Sequence, residues 1–197
     1  MTSKTNTEHS GKTYILRVNI ANSSPKIWRQ LSVPGEYTLG ELHWIIQTAF
    51  GWDNDHMHLF TVKPMKYGMM DMDFGFGEDD DIVDEDDVCL DDLNLQARQK
   101  FSYLYDFGDS WEHEITVSKT ISAGDDKKPA RPRCLGGKRA GPMEDSGGIW
   151  GYENMLEILK DPTREDYEEI HEWLGDFDPE YFDMEKINAS LEDYFKS

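Results

Sequence analysis

The residues able to do chemistry are concentrated in three short segments. Tyr103 to His113 (YLYDFGDSWEH) places acids, aromatic rings and a histidine around a Gly-Asp pair. Cys134 to Tyr152 (CLGGKRAGPMEDSGGIWGY) is rich in glycine and contains Glu144 and Asp145. A third segment, His56 to His58, has the pattern HxH. Imidazole and carboxylate groups are the usual components of metal centres and acid–base sites, so these segments are the candidate site.

Four of these side chains predict a metal site. His56 and His58 are two positions apart at the entry to a predicted strand, so both are expected to project from the same face. Together with Asp106 and His113 they supply nitrogen and oxygen ligands suited to zinc, manganese or iron. The alternative is that Asp106 caps a turn and that the histidines pack in the core.

The geometry of the predicted hairpin decides whether Asp106 and His113 meet. If the Gly-Asp pair after Phe107 forms a two-residue turn, Asp106 lies opposite Trp111. Asp106, Trp111 and His113 then share one face, with the Cα atoms of Asp106 and His113 about 7–8 Å apart. A shift of one residue would undo this arrangement. The other face would carry Tyr103, Tyr105, Phe107, Glu112 and Glu114.

The glycine-rich segment offers candidate catalytic and binding groups. In an enzyme, Glu144 or Asp145 is the expected base toward a metal-bound water. The glycines before a helix start suit an anion, although the neighbouring acids argue against phosphate. Close packing of this segment under the hairpin is the alternative, and Cys134 is expected to be a small buried side chain. The candidate ligand-binding residues are Trp52, Tyr105, Trp111 and Arg139.

Hydrophobic periodicity predicts an α+β fold. Residues Tyr14 to Ile20 and Lys26 to Val33 alternate as two antiparallel strands. Thr38 and Glu41 have the spacing of a capping box, which starts a helix ending at Gly51. A strand over 59–63 and a hairpin over 101–107 and 111–121 follow. Helices are predicted over 152–159, 163–174 and 184–195.

This order of elements predicts one domain over 12–197, preceded by a disordered tail over 1–11. The domain combines a mainly antiparallel sheet, an early helix after two strands and a helical C-terminal part. An acidic stretch over about 66–92 is expected to be a mobile, solvated loop. Residues 122–132 (SAGDDKKPARP) read as a linker.

Composition restricts the partners. The net charge is −20 over 197 residues, so binding of nucleic acid over the general surface is disfavoured and a protein partner with a basic surface is favoured. The sequence has no apolar run of membrane-spanning length, and its polar N-terminus predicts a cytoplasmic protein without a membrane partner. The two cysteines are not expected to form a disulfide. One basic island is formed by Lys127, Lys128, Arg131, Arg133, Lys138 and Arg139.

Five motifs follow one another along the chain: WRxLxVP from Trp28, LGELHWIIQTAFGW from Leu39, HxHLF from His56, YxYDFGDxWEH from Tyr103 and CLGGxRAxPxEDxGGxxGY from Cys134. In this order they resemble the plasmid pRiA4b ORF-three-like family. The resemblance extends over about Lys12 to Tyr194. It implies a compact α+β domain, found mostly in prokaryotes and sometimes carried on plasmids or transposable elements, and it implies no established activity. Some members carry a resolvase label, but this chain lacks the serine-nucleophile and helix-turn-helix pattern of such a recombinase.

Three functional hypotheses follow. The first is a binding module that engages another macromolecule, favoured by the concentrated charge and the lack of a recognisable catalytic motif. The second is a metal-dependent hydrolase or nuclease-like enzyme built on the histidine and aspartate residues. The third is a small-molecule-binding domain with an aromatic pocket around Trp52 and Trp111.

Overall fold

The computed structural model of the chain describes residues 11–69, 82–122 and 131–196. Its centre is one sheet of eight strands, in the order β5-β4-β3-β6-β7-β1-β2-β8. All neighbouring strands are antiparallel except β4 and β5, which are parallel. The strands are β1 (Lys12–Ile20), β2 (Trp28–Pro34), β3 (His58–Val62), β4 (Met65–Gly68), β5 (Ile82–Asp84), β6 (Lys100–Tyr105), β7 (Trp111–Ser122) and β8 (Arg133–Lys138).

Four helices complete the described fold, and the first of them covers one face of the sheet. They are α1 (Leu39–Phe50), α2 (Gly148–Ile158), α3 (Tyr167–Leu174) and α4 (Met184–Tyr194). The α+β class, the early helix after two strands and the helical C-terminal part are therefore confirmed. In the described parts of the chain, no helix is both long and apolar enough to span a bilayer.

Helix α1 forms where local chemistry specifies it. The Thr38 hydroxyl accepts a hydrogen bond from the N–H of Glu41 at 3.1 Å, and the Glu41 carboxylate accepts one from the N–H of Thr38 at 2.8 Å. Gly51 ends the helix with φ of 80°, a conformation that only glycine adopts at little cost. The buried face of α1 rests on rings from β3, β6 and β7, and this contact positions the candidate site at the C-terminal end of α1.

The predicted hairpin is present, but its register differs by one residue from the expected one. Tyr105 lies opposite Trp111 and Tyr103 lies opposite His113, so a five-residue loop over 106–110 connects β6 to β7. Asp106 therefore lies beyond the end of β6 and does not share a face with His113. The two-residue turn is wrong because Asp106 and Ser110 both adopt positive φ, of 54° and 55°, and thereby lengthen the loop.

Other parts of the prediction also need correction. The acidic stretch over 66–92, expected to be a solvated loop, contributes β4, β5 and a 3-10 turn, Glu85–Asp87, while residues 70–81 lie outside the described residues. Leu90 is fully buried and ties this stretch to the core. Strand β8 is absent from the prediction, and α3 begins at Tyr167 because Asp166, not Thr163, precedes its first turn. The predicted tail over 1–10 and residues 123–130 of the linker are also outside the described residues.

Candidate functional site

The loop over 106–110 holds the carboxylate of Asp106 in a fixed orientation. The backbone N–H of Asp106 donates to the carbonyl of Met57 at 2.8 Å, and the N–H of Ser110 donates to the carbonyl of Asp106 at 2.6 Å. Oδ1 of Asp106 accepts a hydrogen bond from the N–H of Gly108 at 2.8 Å. Asp106 is 7% exposed, so its second oxygen, Oδ2, is presented from a nearly buried position.

His56 lies between two carboxylates from different parts of the chain. Its Nδ1 is 3.8 Å from Oδ2 of Asp106, and its Nε2 is 3.5 Å from Oδ1 of Asp145. One ligand atom from each of the three residues lies within 4.8 Å of the others. The structure thus brings together two of the four predicted metal ligands, His56 and Asp106, with Asp145 as a third neighbour.

Glu144 is fixed by hydrogen bonds to both of its carboxylate oxygens. The hydroxyl of Tyr105 donates to Oε1, and the backbone N–H of Asp53 donates to Oε2 at 2.9 Å. Burial, followed by the neighbouring Glu144 carboxylate, raises the pKa of Tyr105 well above its ordinary value, so this phenol stays protonated as the donor. The indole of Trp52 stacks on the Tyr105 ring at 5.0 Å and donates to the carbonyl of Pro142 at 2.8 Å.

The glycine-rich segment packs against the end of α1 and against the loop over 106–110. A Cβ on Gly141 would lie 2.0 Å from the carbonyl oxygen of Phe50, and one on Gly148 would lie 2.2 Å from that of Asp109. The N–H of Gly147 also donates to Oδ2 of Asp109 at 3.0 Å. These close approaches hold Glu144 and Asp145 beside Tyr105 and His56. They agree with the packing alternative for the glycines.

A groove of about 740 Å³ runs from the end of α1 to α4. Its walls come from the end of α1, residues 140–144 and residues 176–190. Trp52 and Glu144 connect it to the residues around Tyr105. The other aromatic side chains along it are Phe50, Phe177, Tyr181 and Phe182, and its further acids are Asp53, Asp176, Asp178 and Asp183.

Arg29 lies in the wall of this groove and is almost fully buried. Its Nε donates to the carbonyl of Ala49 at 2.7 Å, and its Nη1 donates to the carbonyls of Trp28 and Lys138 at 2.8 and 3.3 Å. Its guanidinium also lies 5.0 Å from the ring centre of Phe182. Burial lowers the pKa of Arg29 to about 10, so it remains charged at neutral pH. The Arg29 side chain therefore ties β2 to the C-terminal end of α1.

His58 is buried in the core, where it contacts Glu85 and His43. Its Nε2 lies 2.8 Å from Oε2 of Glu85, which is itself buried. Its ring stacks on that of His43 with centres 3.5 Å apart. Burial, followed by the nearby charge of His58, lowers the pKa of His43 to about 3. His56 precedes the first residue of β3, so the alternation that the HxH pattern needs does not extend to it.

His113, Trp111 and Arg139 do not belong to the group formed by His56, Asp106 and Asp145. His113 and Trp111 are almost fully buried in β7, and Nδ1 of His113 donates to the carbonyl of Trp111 at 2.9 Å. Arg139 is buried, with its Nε 2.7 Å from Oε1 of Glu180 and its Nη1 donating to the carbonyl of Pro25. Cys134 is buried as expected, and both cysteines are free thiols.

Two groups of residues at or near the site have no counterpart among the residues predicted from the sequence. The groove wall over 176–190 lies in the helical C-terminal part, where Phe177, Tyr181 and Phe182 alternate with acids. That mixture of aromatic and acidic residues was a usable signal. No sequence pattern predicts the contact of His58 with Glu85, because 26 residues separate the two in the chain and Glu85 stands in a run of acids.

These features define an α+β protein with a mainly antiparallel sheet, a covering helix and an aromatic groove lined with acids. The chain belongs to the family described as plasmid pRiA4b ORF-3-like protein, whose pattern matches residues 12–186. The uncharacterized protein y4hQ of Sinorhizobium fredii (strain NBRC 101917 / NGR234) is 33% identical over 181 residues, which cover 90% of each chain. A crystal structure of a protein of unknown function from Methanosarcina mazei Go1 matches with a TM-score of 0.76 and 38% identity, over 89% of this chain and 96% of that one.

Proposed function

We propose that the protein is a binding module whose groove receives a basic segment of a partner protein. The observation that carries this proposal is the combination of aromatic rings and carboxylates along one groove. A lysine or arginine side chain has an apolar stem and a cationic end, so rings and carboxylates together complement it. A volume of about 740 Å³ is also in the range of ligand sites.

The charges lining the groove favour a cationic occupant. Five acids line it, against two basic residues, Arg29 and Lys186. The Nε and Nη1 groups of Arg29 already donate to backbone carbonyls, so this guanidinium is held by the fold. The overall charge of −20 steers a basic partner toward the protein, and the groove supplies the short-range contacts.

The test is a titration with a fluorescent peptide of alternating lysine and leucine, in about 0.15 M NaCl to screen distant charges. A peptide of lysine and serine with the same charge measures the apolar contribution. The double variant Asp53→Asn/Asp176→Asn removes two groove charges. We expect it to weaken binding of the lysine–leucine peptide at least about tenfold, which corresponds to about 1.4 kcal/mol.

A matched variant separates the groove from net charge. Glu112→Gln/Glu165→Gln also removes two negative charges, from exposed positions that do not line the groove. We expect this pair to change the dissociation constant less than about twofold, because exposed, distant charges are screened. Equal weakening by the two double variants, or equal binding of the two peptides, would contradict the proposal.

A metal-dependent hydrolase is the second candidate function, favoured by the approach of His56, Asp106 and Asp145 to one another. In that candidate Glu144 is a positioning residue, since both of its oxygens accept hydrogen bonds. A screen of phosphodiester and amide substrates in the presence of Mn²⁺ tests it. Turnover that survives in Asp145→Asn would count against this candidate.

A further inference from the structure

We propose that His56, Asp106 and Asp145 bind one first-row divalent cation, Zn²⁺ or Mn²⁺. This site goes beyond the peptide groove and does not depend on it. Its ligand set is one imidazole nitrogen and two carboxylate oxygens, a donor set that both ions accept. Among the residues that the structure describes, these three form the group with ligand atoms close enough to share an ion.

The nearly buried carboxylate of Asp106 is the first reason to infer a bound cation. Its Oδ1 is occupied by the N–H of Gly108, which fixes the plane of the group and aims Oδ2 toward His56. The partner that the described residues provide for Oδ2 is Nδ1 of His56 at 3.8 Å, which is longer than a hydrogen bond. The Asp106 side chain is 11% exposed, so Oδ2 remains accessible to a cation from solution.

The spacing of these groups suits an ion between them. Two ligand atoms on one tetrahedral zinc ion lie about 3.4 Å apart, given bonds of about 2.0–2.1 Å. The distance of 3.8 Å between Nδ1 of His56 and Oδ2 of Asp106 needs to shorten by only a few tenths of an ångström. We therefore assign Nδ1 as the ligating nitrogen, because it faces the buried carboxylate.

Asp145 provides the adjustable ligand. Its side chain is 77% exposed, so it can rotate from its present position, where Oδ1 faces Nε2 of His56, toward an ion held at Nδ1. Its backbone is fixed beside His56 by its own φ of 59° and by the close packing of Gly148, three residues later, against the carbonyl of Asp109. Three protein ligands leave at least one coordination position for water or for a ligand from solution.

The experiment is isothermal titration of the full chain with ZnCl₂ and with MnCl₂, after removal of metal by a chelator and in about 0.3 M NaCl to screen the surface charge. We expect one ion per chain, with Zn²⁺ bound more tightly than Mn²⁺. His56→Ala and Asp145→Asn should each lower the affinity for Zn²⁺ about tenfold or more. Both side chains are partly or largely exposed, so both variants are expected to fold.

Matched controls separate this site from general attraction to an acidic surface. His171→Ala removes an exposed histidine on α3, and Glu165→Gln removes an exposed acid, so neither should change Zn²⁺ binding more than about twofold. Ca²⁺ prefers oxygen ligands, so any binding of Ca²⁺ should be insensitive to His56→Ala. Absence of a stoichiometric Zn²⁺ site in the wild-type chain, or unchanged Zn²⁺ affinity in His56→Ala, would overturn the proposal.

The metal and peptide experiments change different residues, so either proposal can be rejected without the other. The peptide test changes Asp53 and Asp176, whereas the metal test changes His56 and Asp145. A chain that binds Zn²⁺ but not the lysine–leucine peptide supports the metal site and rejects the groove proposal. The reverse result rejects the metal site alone.

Discussion

His43 and His113 are imidazoles that the fold keeps uncharged. Burial lowers the pKa of His113 to about 4, and burial together with the nearby His58 lowers that of His43 to about 3. Each ring is nonetheless hydrogen-bonded, His43 to Tyr103 and Asn54 and His113 to a backbone carbonyl. These rings therefore act as neutral polar groups of the core. At acidic pH their protonation favours the unfolded chain and so lowers the stability of the fold.

The pH dependence of stability should change when one of these rings is removed. In the unfolded chain His113 binds a proton with a pKa of about 6.5, whereas in the folded chain it does so only near pH 4. Stability is therefore fully present above the unfolded pKa and is lost as the pH falls. We expect His113→Phe to reduce the slope of unfolding free energy against pH by about 1.2 kcal/mol per unit between about pH 5.5 and 4.5.

Urea unfolding at several pH values measures this slope. His171→Phe is the matched control, because His171 is exposed and its replacement should leave the slope unchanged. The slope is the informative quantity, since His113→Phe also removes the bond to Trp111 and so lowers stability at every pH. An unaltered slope in His113→Phe would mean that this ring titrates alike in both states.

The contact between Gly148 and Asp109 joins the glycine-rich segment to the loop over 106–110. This joint holds the residues of the candidate site together. Gly148 has a φ of 66°, and its Cα approaches the carbonyl of Asp109 so closely that a Cβ would lie 2.2 Å from the oxygen. Asp109 is close in the chain to Asp106, and Gly148 is close to Asp145. The joint therefore controls the distance between the two carboxylates that flank His56.

Replacing Gly148 by alanine should open this joint. Gly51→Ala is the matched control, because Gly51 also has positive φ, of 80°, but a Cβ added there would meet no atom within 4 Å among the described residues. We expect Gly51→Ala to cost about 1–2 kcal/mol from backbone conformation alone. Gly148→Ala should cost about 3 kcal/mol or more, because it adds a clash with backbone.

The midpoints of urea unfolding for the two variants provide the comparison. Zn²⁺ affinity should also fall in Gly148→Ala and stay near the wild-type value in Gly51→Ala, if the joint sets the ligand spacing. Similar losses of stability in both variants would show that the loop relaxes around the added methyl group.

The same elements show what the sequence determines locally. Helix α1 is predicted with both ends correct because its start and stop depend on neighbours, namely the Thr38–Glu41 pair and Gly51. The hairpin is predicted, but its register is not. That register depends on Asp106 and Ser110 adopting positive φ, which no pattern of hydrophobic residues signals. Strand β8 is not predicted, because Gly136 and Gly137 lack the side chains whose alternation identifies a strand.

The candidate site is predicted only in part for a similar reason. Periodicity places His56 and His58 on one face, but His56 precedes β3 and faces Asp106 instead. Asp145 is a candidate for its chemistry as a base, and its position beside His56 results from glycine contacts between distant segments. Contacts of this kind depend on tertiary packing, which a local pattern does not encode.

At the scale of the whole molecule, charge is the dominant feature. The chain carries 40 acidic and 20 basic residues, and compaction brings the excess negative charges closer together. Self-repulsion of this kind destabilises the folded state relative to the expanded chain. The expected division into a tail and a single domain over 12–197 stays a prediction.

Salt should therefore stabilise the protein. We expect the thermal midpoint to rise as NaCl increases from about 0.01 to 0.3 M, because the screening length falls from about 30 Å to less than 10 Å. Tetramethylammonium chloride is a control in which the cation does not suit an aspartate–histidine site. A rise with NaCl that is absent with this salt would indicate specific sodium binding instead of screening.

The groove is lined by segments that are far apart in the sequence. The first wall comes from β2 and the end of α1, residues 140–144 contribute to the lining, and the second wall comes from residues 176–190, including the start of α4. On the ribosome, the first wall is complete more than a hundred residues before the second has been synthesised. A nascent chain that ends before residue 176 lacks this part of the groove, so the partner binding proposed above requires synthesis at least as far as Ser190.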